Sequence, residues 1–250
     1  MKKQHVAIIT GGGSGLGQAV ALKLAESNVQ LSIVDISEEG GNDTVRLVKE
    51  KGASAIFIKA DVSKAEDVKN YVDKTLDTYG VITMFYNNAG ISGPGTKFAE
   101  NTIEQIDQVI GINLQGALYG LRYVVEAMLK NGGGSIVNTS STAGLVGQQT
   151  VGTYSATKHA MIGITKTIVA EYASEGIRVN AIAPGATETQ MVKEYMEKNP
   201  NAADIAVNPV PQKRLGTPEE VAELVAFLLG DKAPYINGAV VPIDGGFTSI

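Results

Sequence analysis

A tyrosine and a lysine four residues apart carry the most specific chemistry in this sequence. Tyr154 and Lys158 stand at positions i and i+4, so that on a helix they share one face. A phenol with an ordinary pKa of about 10 is a poor base at neutral pH, but a neighbouring ammonium favours the phenolate. Such a pair can exchange a proton with a substrate oxygen. The spacing alone is weak evidence, because the composition also predicts it by chance.

Two other polar residues can complete this chemistry. Ser141 precedes Tyr154 by 13 positions and is suited to hold a substrate oxygen by a hydrogen bond. Asn113, in a predicted helix, is suited to hold a water that links Lys158 to solvent as a proton relay. Each residue also has a purely structural interpretation: Tyr154 as a packed aromatic, Ser141 as a turn residue, and Asn113 as a hydrogen bonder at a helix kink.

A glycine-rich turn lies between the first predicted strand and the first predicted helix. Residues 10–17 read TGGGSGLG. Glycines let the backbone approach a pyrophosphate, which the amides and dipole of a helix N-terminus stabilise. The spacing is not GxGxxG, because Gln18 stands where the third glycine would be, and no Gly-Lys-Ser/Thr follows as in a P-loop. The alternative is a glycine-rich turn without a ligand.

Carboxylates follow the second and third predicted strands. Asp35 can accept hydrogen bonds from the 2′- and 3′-hydroxyls of an adenosine ribose and would repel a 2′-phosphate. Positions 14 and 36 hold Ser14 and Ile36, so neither supplies an Arg or Lys that would offset this repulsion. The sequence therefore favours NAD over NADP. The alternative is that Asp35 caps the helix after it. Asp61 likewise has two possible roles, a contact with the adenine or the cap of the helix that follows it.

These residues need a scaffold, and the hydrophobic pattern predicts one. Apolar β-branched runs predict strands at His5 to Thr10, Gln30 to Asp35, Ser54 to Ala60, Ile82 to Tyr86, Ser135 to Ser140, Ile177 to Ile182 and Ala239 to Ile243. Amphipathic segments predict helices at Gly15 to Ser27, Ser37 to Lys51, Lys64 to Tyr79, Thr102 to Lys130, Thr153 to Ser174 and Thr217 to Leu229. The alternation predicts an α/β, Rossmann-type doubly wound fold with a seven-stranded parallel sheet flanked by helices on both faces.

No linker or repeat divides the chain, so a single domain over residues 1–250 is expected. Residues 217–220, TPEE, form a predicted capping box at the last helix. The one long irregular stretch, Ala183 to Arg214, holds four prolines and predicts a substrate lid at about 186–213. The strands ending in Asn87 to Gly90 and in Ser140 and Ser141 would deliver polar groups to one sheet edge.

The chain resembles the short-chain dehydrogenase/reductase family from Thr10 to its end. The resemblance rests on TGxxxGxG at 10–17, NNAG at 87–90, Pro184-Gly185, and the Ser141, Tyr154 and Lys158 spacing with Asn113. It implies that Asn113, Ser141, Tyr154 and Lys158 are catalytic. It implies a cofactor site with a nicotinamide end at Lys158 and Thr189 and an adenine side at Asp61 and Val62. The full set of expected cofactor-binding residues is Gly11, Ser14, Gly15, Leu16, Gly17, Asp35, Ile36, Asp61, Val62, Asn88, Ala89, Gly90, Tyr154, Lys158, Pro184, Gly185, Thr187 and Thr189.

Composition excludes several other classes of function. Of the 250 residues, 44% are hydrophobic, which argues against disorder. The 21 Lys+Arg and 26 Asp+Glu give a net charge of −5, which argues against a surface that binds nucleic acid or anionic membranes. With no Cys there is no disulfide, thiolate metal site or cysteine nucleophile, and the two His make a metal site unexpected. The N-terminal apolar run is too short for a signal peptide, so a cytoplasmic protein is expected.

No arginine cluster is placed to clamp a charged carrier, which favours an uncharged alcohol or ketone as substrate. The resemblance of the C-terminal portion, from Lys213 to Gly246, implies a small or cyclic secondary alcohol or ketone. Expected pocket walls are Gly93 to Thr96, Ala143, Gln149 and the lid. Resemblance keeps 3-oxoacyl-carrier-protein reductase and sugar or acetoin/butanediol dehydrogenases open, as well as a scaffolding protein that keeps the fold without catalysis. The helices Thr102 to Lys130 and Thr153 to Ser174 are more apolar than one buried stripe needs, and the resemblance implies a homotetramer.

Overall fold

The computed structural model describes residues 5–189, 192 and 202–250. Much of the predicted lid, residues 190, 191 and 193–201, lies outside the described residues. The strands are β1 (Val6–Thr10), β2 (Gln30–Asp35), β3 (Ala55–Lys59), β4 (Met84–Asn87), β5 (Gly134–Thr139), β6 (Ile177–Pro184) and β7 (Val240–Ile243). The helices are α1 (Gly15–Ala25), α2 (Glu38–Glu50), α3 (Ala65–Tyr79), α4 (Ile103–Ile110), α5 (Gly116–Lys130), α6 (Gly152–Tyr172), α7 (Ala202–Val207) and α8 (Pro218–Leu229).

The seven strands form one parallel sheet in the order β3-β2-β1-β4-β5-β6-β7, as the sequence predicts. The order reverses direction between β1 and β4, which is where ligands bind in such sheets. Because every strand is parallel, all the carboxyl ends meet at one edge. The predicted fold class is therefore confirmed.

Alternating side chains of β1 enter two separate hydrophobic cores. Ile9 packs in a cluster that includes Val20 of α1 and Val225 of α8. Its neighbour Ile8 lies in a cluster on the other face, with Tyr71 of α3. Both faces of the sheet are therefore covered, which explains why the strands read as continuous apolar runs.

The helix predicted over Thr102 to Lys130 is interrupted. A π-helical segment, Gly111–Gln115, joins α4 to α5, with Asn113 buried at its centre. A π turn inserts one extra residue into the hydrogen-bond ladder and commonly marks a functional site. The hydrophobic period of the sequence did not reveal it.

The stretch Ala183 to Arg214 is less irregular than predicted. Strand β6 continues to Pro184, and α7 lies within the stretch. The two ends of the stretch are held together, since Thr187 and Gly216 form a parallel β-bridge and Glu188 N donates to Gly216 O at 2.9 Å. The capping box at Thr217 and Glu220 is confirmed.

Candidate active site

A cleft of about 450 Å³ opens along the carboxyl ends of the strands, a volume typical of small-molecule sites. Almost all the predicted site residues line it. They are Gly11, Ser14, Gly15, Leu16, Asp35, Ile36, Asp61, Val62, Asn88, Ala89, Gly90, Ser141, Tyr154, Lys158, Pro184, Gly185, Thr187 and Thr189. Gly17 and Asn113 do not line the cleft but lie behind its wall.

The glycine-rich loop leaves the N-terminus of α1 open toward the cleft. Ser14 is the N-cap residue, but its side chain makes no capping hydrogen bond, and the first turn has no acidic residue. The first amides of a helix have no intrahelical partner and attract anions. Gly17 permits the arrangement by close packing, because a Cβ there would lie 2.0 Å from Gly11 O. The loop and helix therefore fit a pyrophosphate.

The Asp35 carboxylate holds the backbone around it. Its Oδ2 accepts from Gly13 N at 2.8 Å, and its Oδ1 accepts from Ser37 N at 2.9 Å. The N-cap of α2 is Ser37, whose Oγ accepts from Gly40 N. Asp35 is therefore not the cap of α2, and its carboxylate both lines the cleft and fixes the glycine-rich loop.

Asp61 forms a small turn at the end of β3. Its Oδ1 accepts from Ser63 Oγ at 2.6 Å and from Ser63 N at 3.1 Å. The Ser63 hydroxyl lowers the pKa of the carboxyl group, while burial opposes this effect. The N-cap of α3 is Lys64, and Asp61 does not cap that helix with its side chain.

Asn88 connects the glycine-rich loop to the middle of the sheet edge. Its Nδ2 donates to Thr10 O at 3.0 Å, and its Oδ1 accepts from Thr139 Oγ1 at 3.3 Å. The backbone N–H groups of Asn88 and Ala89 both donate to Thr10 Oγ1. These bonds hold the ends of β1, β4 and β5 together, so the floor of the cleft is fixed by the NNAG segment.

Tyr154, Ser141 and Lys158 meet at one end of the cleft. Tyr154 lies in the first turn of α6, and Lys158 follows it one turn later, with Nζ 5.5 Å from the centroid of the Tyr154 ring. Burial raises the pKa of Tyr154, and a hydrogen bond with Ser141 counters the rise. Without a cofactor, the protein therefore keeps the phenol protonated at neutral pH.

Lys158 is a buried cation. Its side chain is almost fully enclosed, and its Nζ donates to Thr139 O at 2.8 Å. Burial lowers the pKa of Lys158 from 10.5 to about 8. An ammonium this close to losing its proton can exchange it readily near neutral pH.

Asn113 binds the backbone after β4 with both ends of its amide. Its Oδ1 accepts from Ile91 N, and its Nδ2 donates to Ile91 O, both at 2.8 Å. The interpretation as a hydrogen bonder at a helix irregularity therefore applies. Asn113 also stands close to Lys158, since a Cβ added at Gly90 would lie 3.1 Å from Asn113 Oδ1 and 3.6 Å from Lys158 Nζ.

Three of the expected pocket walls are not among the described residues that line this cleft. Ala143 is buried under the turn after β5, Gln149 is exposed, and Gly93 to Thr96 lie just beyond the lining residue Ser92. Ala186 and Val192 of the predicted lid line the cleft, as does Ser140 at the predicted end of β5. Sequence reasoning missed several other lining residues, most of them small or apolar: Val34, Ala60, Ile91, Ser92, Ile112 and Thr139. Most adjoin a predicted site residue at a strand end, which is the signal that could have found them.

This geometry defines a class of protein. A parallel sheet with a glycine-rich turn, a carboxylate after β2 and a tyrosine–lysine pair across the same cleft is the arrangement of a nicotinamide-dependent oxidoreductase. The residues present fit such a cofactor, because Gly15 and Leu16 at the start of α1 line the cleft and the side chain of Ser14 leaves the first turn of that helix uncapped.

Comparison with known proteins identifies the family. A family model described as Enoyl-(Acyl carrier protein) reductase matches residues 11–248. The chain is 44% identical to levodione reductase of Leifsonia aquatica over 97% of this chain and 93% of that protein. It is 41% identical to cyclohexanol dehydrogenase of Acinetobacter sp. (strain SE19) over 98% of this chain and 95% of that protein. The chain belongs to the short-chain dehydrogenase/reductase family and is an oxidoreductase that acts on a CH–OH group with a nicotinamide cofactor.

Solved structures agree with this assignment. The crystal structure of levodione reductase superposes with a TM-score of 0.94 at 41% identity, covering 98% of each chain. The structure of NAD⁺-bound xylitol dehydrogenase gives a TM-score of 0.93 at 32% identity, covering 98% of this chain and all of the other. Within residues 5–189 and 202–250, no helix combines the length and apolar character needed to cross a membrane.

Proposed function

We propose that this protein transfers hydride between NAD(H) and a small or cyclic secondary alcohol or ketone, with Tyr154 as the acid/base. The observation that carries the proposal is the meeting of Tyr154, Ser141 and Lys158 at one end of a cleft that also contains Asp35. Asp35 ends β2, Ser141 follows β5, and Tyr154 and Lys158 stand on α6, so all four residues belong to described elements or adjoin them.

The proposed mechanism assigns one task to each residue. A bound nicotinamide dinucleotide supplies the hydride acceptor or donor. Ser141 Oγ donates a hydrogen bond to the substrate oxygen and so places it beside the Tyr154 hydroxyl. For reduction of a ketone, the protonated Tyr154 donates its proton to the developing alkoxide. Lys158, with its lowered pKa, returns a proton to the resulting phenolate.

Asp35 supports NAD rather than NADP. The charged side chains that line the described cleft are Asp35, Asp61 and Lys158, and Lys158 belongs to the catalytic end. A 2′-phosphate near Asp35 would meet a carboxylate with no cation from the described lining to balance it. The two ribose hydroxyls would instead find an acceptor.

Two cations in or beside the described part of the lid support an uncharged substrate. Arg214 makes two bonds to the Glu220 carboxylate, at 2.7 and 2.9 Å, and Lys213 Nζ donates to Asn208 O at 2.6 Å. Both cations are therefore already occupied and poorly suited to clamp a phosphopantetheine carrier. The similarity to proteins named for cyclohexanol and levodione points the same way.

Two measurements test the proposal. Fluorescence titration with NADH and NADPH side by side should show tighter binding of NADH. Cyclohexanol and vicinal diols with NAD⁺, and the corresponding ketones with NADH, should then give turnover. Tighter binding of NADPH together with activity on acetoacetyl thioesters would contradict the proposal and favour a 3-oxoacyl-carrier-protein reductase.

We further propose that the protein is a homotetramer. Large apolar side chains stand exposed on different elements: Leu118 on α5, Phe227 on α8, Tyr235 before β7, and Ile250 at the end of the chain. Apolar groups at separate faces support two kinds of contact between copies. Light scattering should give four times 26.2 kDa, and a mass of 26.2 kDa would contradict the proposal.

A further inference from the structure

We infer that Asn138 and Thr165 are positioning residues for the catalytic lysine, an inference that rests on the proposed role of Tyr154 and Lys158. Asn138 Nδ2 donates to Thr165 Oγ1 at 2.9 Å, and Asn138 Oδ1 accepts from Asn87 Nδ2 at 3.0 Å. We call Asn87, Asn138 and Thr165 the buried polar chain. It joins β4 and β5 to α6.

The buried polar chain is buried throughout, and the side chain of each of its three residues is hydrogen-bonded. Asn138 and Thr165 are 0% exposed, and Asn87 is 6% exposed. Asn87 Nδ2 also donates to Ala117 O at 3.2 Å, so the chain reaches α5 just beyond the π-helical segment. Buried polar groups cost free energy unless they are bonded, and apolar side chains of the same shape would fill this space without that cost. A network in which every group is satisfied fixes the relative position of the elements it joins.

The last two residues of β5 and the residue after it all bond to α6. Asn138 bonds Thr165, the carbonyl of Thr139 accepts from Lys158 Nζ at 2.8 Å, and Ser140 Oγ donates to Lys158 O at 2.8 Å. Thr165 follows Lys158 by two helical turns, about 10 Å along the axis. The contacts at Thr139 and Ser140 both act on Lys158, and Ser155 Oγ, one turn earlier on α6, donates to Ala143 O. The bond from Asn138 to Thr165 adds a polar contact two turns further along the helix, and it thereby helps to set where Nζ lies relative to the Tyr154 ring.

Thr165→Val tests the inference, with Thr75→Val as its matched control. Valine keeps the shape of threonine but removes the hydroxyl. Thr165 Oγ1 also donates to Met161 O at 2.7 Å, four residues earlier on its helix. Thr75, on α3, is equally buried, donates to Tyr71 O at 2.7 Å and bonds Ser32 Oγ at 2.8 Å. Each variant thus loses one bond to the carbonyl four residues earlier on its helix and one bond to a buried polar side chain on a strand. Thr75, however, lies on α3 and not on α6.

The two variants should lose similar stability in urea but differ in catalysis. Thr165→Val should lower kcat for alcohol oxidation by about tenfold or more, because small displacements of catalytic groups have effects of this size. Its kcat should also reach half of its maximum at a higher pH, because a displaced ammonium stabilises the phenolate less well. The Kd for NADH should be unchanged. Thr165→Ser should restore both kcat and the pH profile.

Equal kcat and equal pH profiles for Thr165→Val and Thr75→Val would overturn the inference while leaving the proposed function intact. If Thr165→Val is recovered only as aggregate, Thr165→Ala, which adds no bulk, carries the same comparison. Absence of any Tyr154-dependent turnover in the unmodified enzyme would overturn the proposed function, and this inference with it.

Discussion

Replacement of Lys158 by methionine should make the protein more stable and inactive. Lys158 is 4% exposed, and burial alone lowers its pKa from 10.5 to about 8. Carrying the proton below pH 8 therefore costs the folded state about 3 kcal/mol. Methionine removes this cost but also removes the bond from the charged Nζ to Thr139 O, worth about 2 kcal/mol. The net gain is about 1 kcal/mol, or a rise in Tm of roughly 2–4 °C for a chain of this length.

The gain should depend on pH in a defined direction. Between pH 8 and pH 10.5 the unfolded chain retains the lysine proton and the folded chain has lost it. The free energy of unfolding of the unmodified protein should therefore rise with pH in this window relative to that of Lys158→Met. The advantage of the variant should be full below pH 8 and should shrink as the pH approaches 10.5.

Urea unfolding of the cofactor-free proteins across this pH range is the assay. Lys166→Met, at an exposed lysine of the same helix, is the control and should change the free energy of unfolding by no more than about 0.5 kcal/mol. A Lys158→Met protein that is less stable than the unmodified protein at pH 7, or a difference that does not vary with pH, would refute the reasoning.

Two further substitutions examine the cofactor end. Asp35→Asn should weaken binding of both cofactors, because an amide oxygen can accept from only one of Gly13 N and Ser37 N. It should also reduce the preference for NADH over NADPH by about tenfold, because the charge that repels a 2′-phosphate is gone. Paired titrations give both quantities, and an unchanged Kd ratio would count against the role of Asp35. Gly17→Ala should abolish NADH binding, because its Cβ would lie 2.0 Å from Gly11 O. Gly80→Ala is the control, because Gly80 has a left-handed backbone conformation but no atom within 4 Å of an added Cβ. This variant should lose about 1 kcal/mol of stability and still bind NADH. Loss of NADH binding in both variants, or in neither, would show that the collision at Gly17 is not decisive.

Local sequence patterns predicted the scaffold, and most of the candidate site residues line the cleft that it forms. Strand ends, helix starts and the glycine-rich turn are encoded within a few residues, and in a parallel sheet the strand order brings them to one edge. This is why Asp35, Ser141 and Tyr154, which are far apart in the sequence, line one cleft.

What the sequence did not reveal depends on contacts between distant residues. The bond between Asn138 and Thr165 and the bond from Lys158 Nζ to Thr139 O join separate elements. The π-helical segment around Asn113 is only five residues long, so the sequence around it shows the same hydrophobic period as an ordinary α-helix. Likewise, the raised pKa of Tyr154 follows from its burial, which no local motif specifies.

The most direct test of the central claim is single-turnover reaction of Tyr154→Phe with NAD⁺ and cyclohexanol, compared with the unmodified enzyme. Phenylalanine keeps the ring and removes only the hydroxyl that we assign to proton transfer. We predict that the variant binds NADH as tightly as the unmodified enzyme and forms no NADH within the time of many unmodified turnovers. NADH formation at an undiminished rate by the variant would contradict the account.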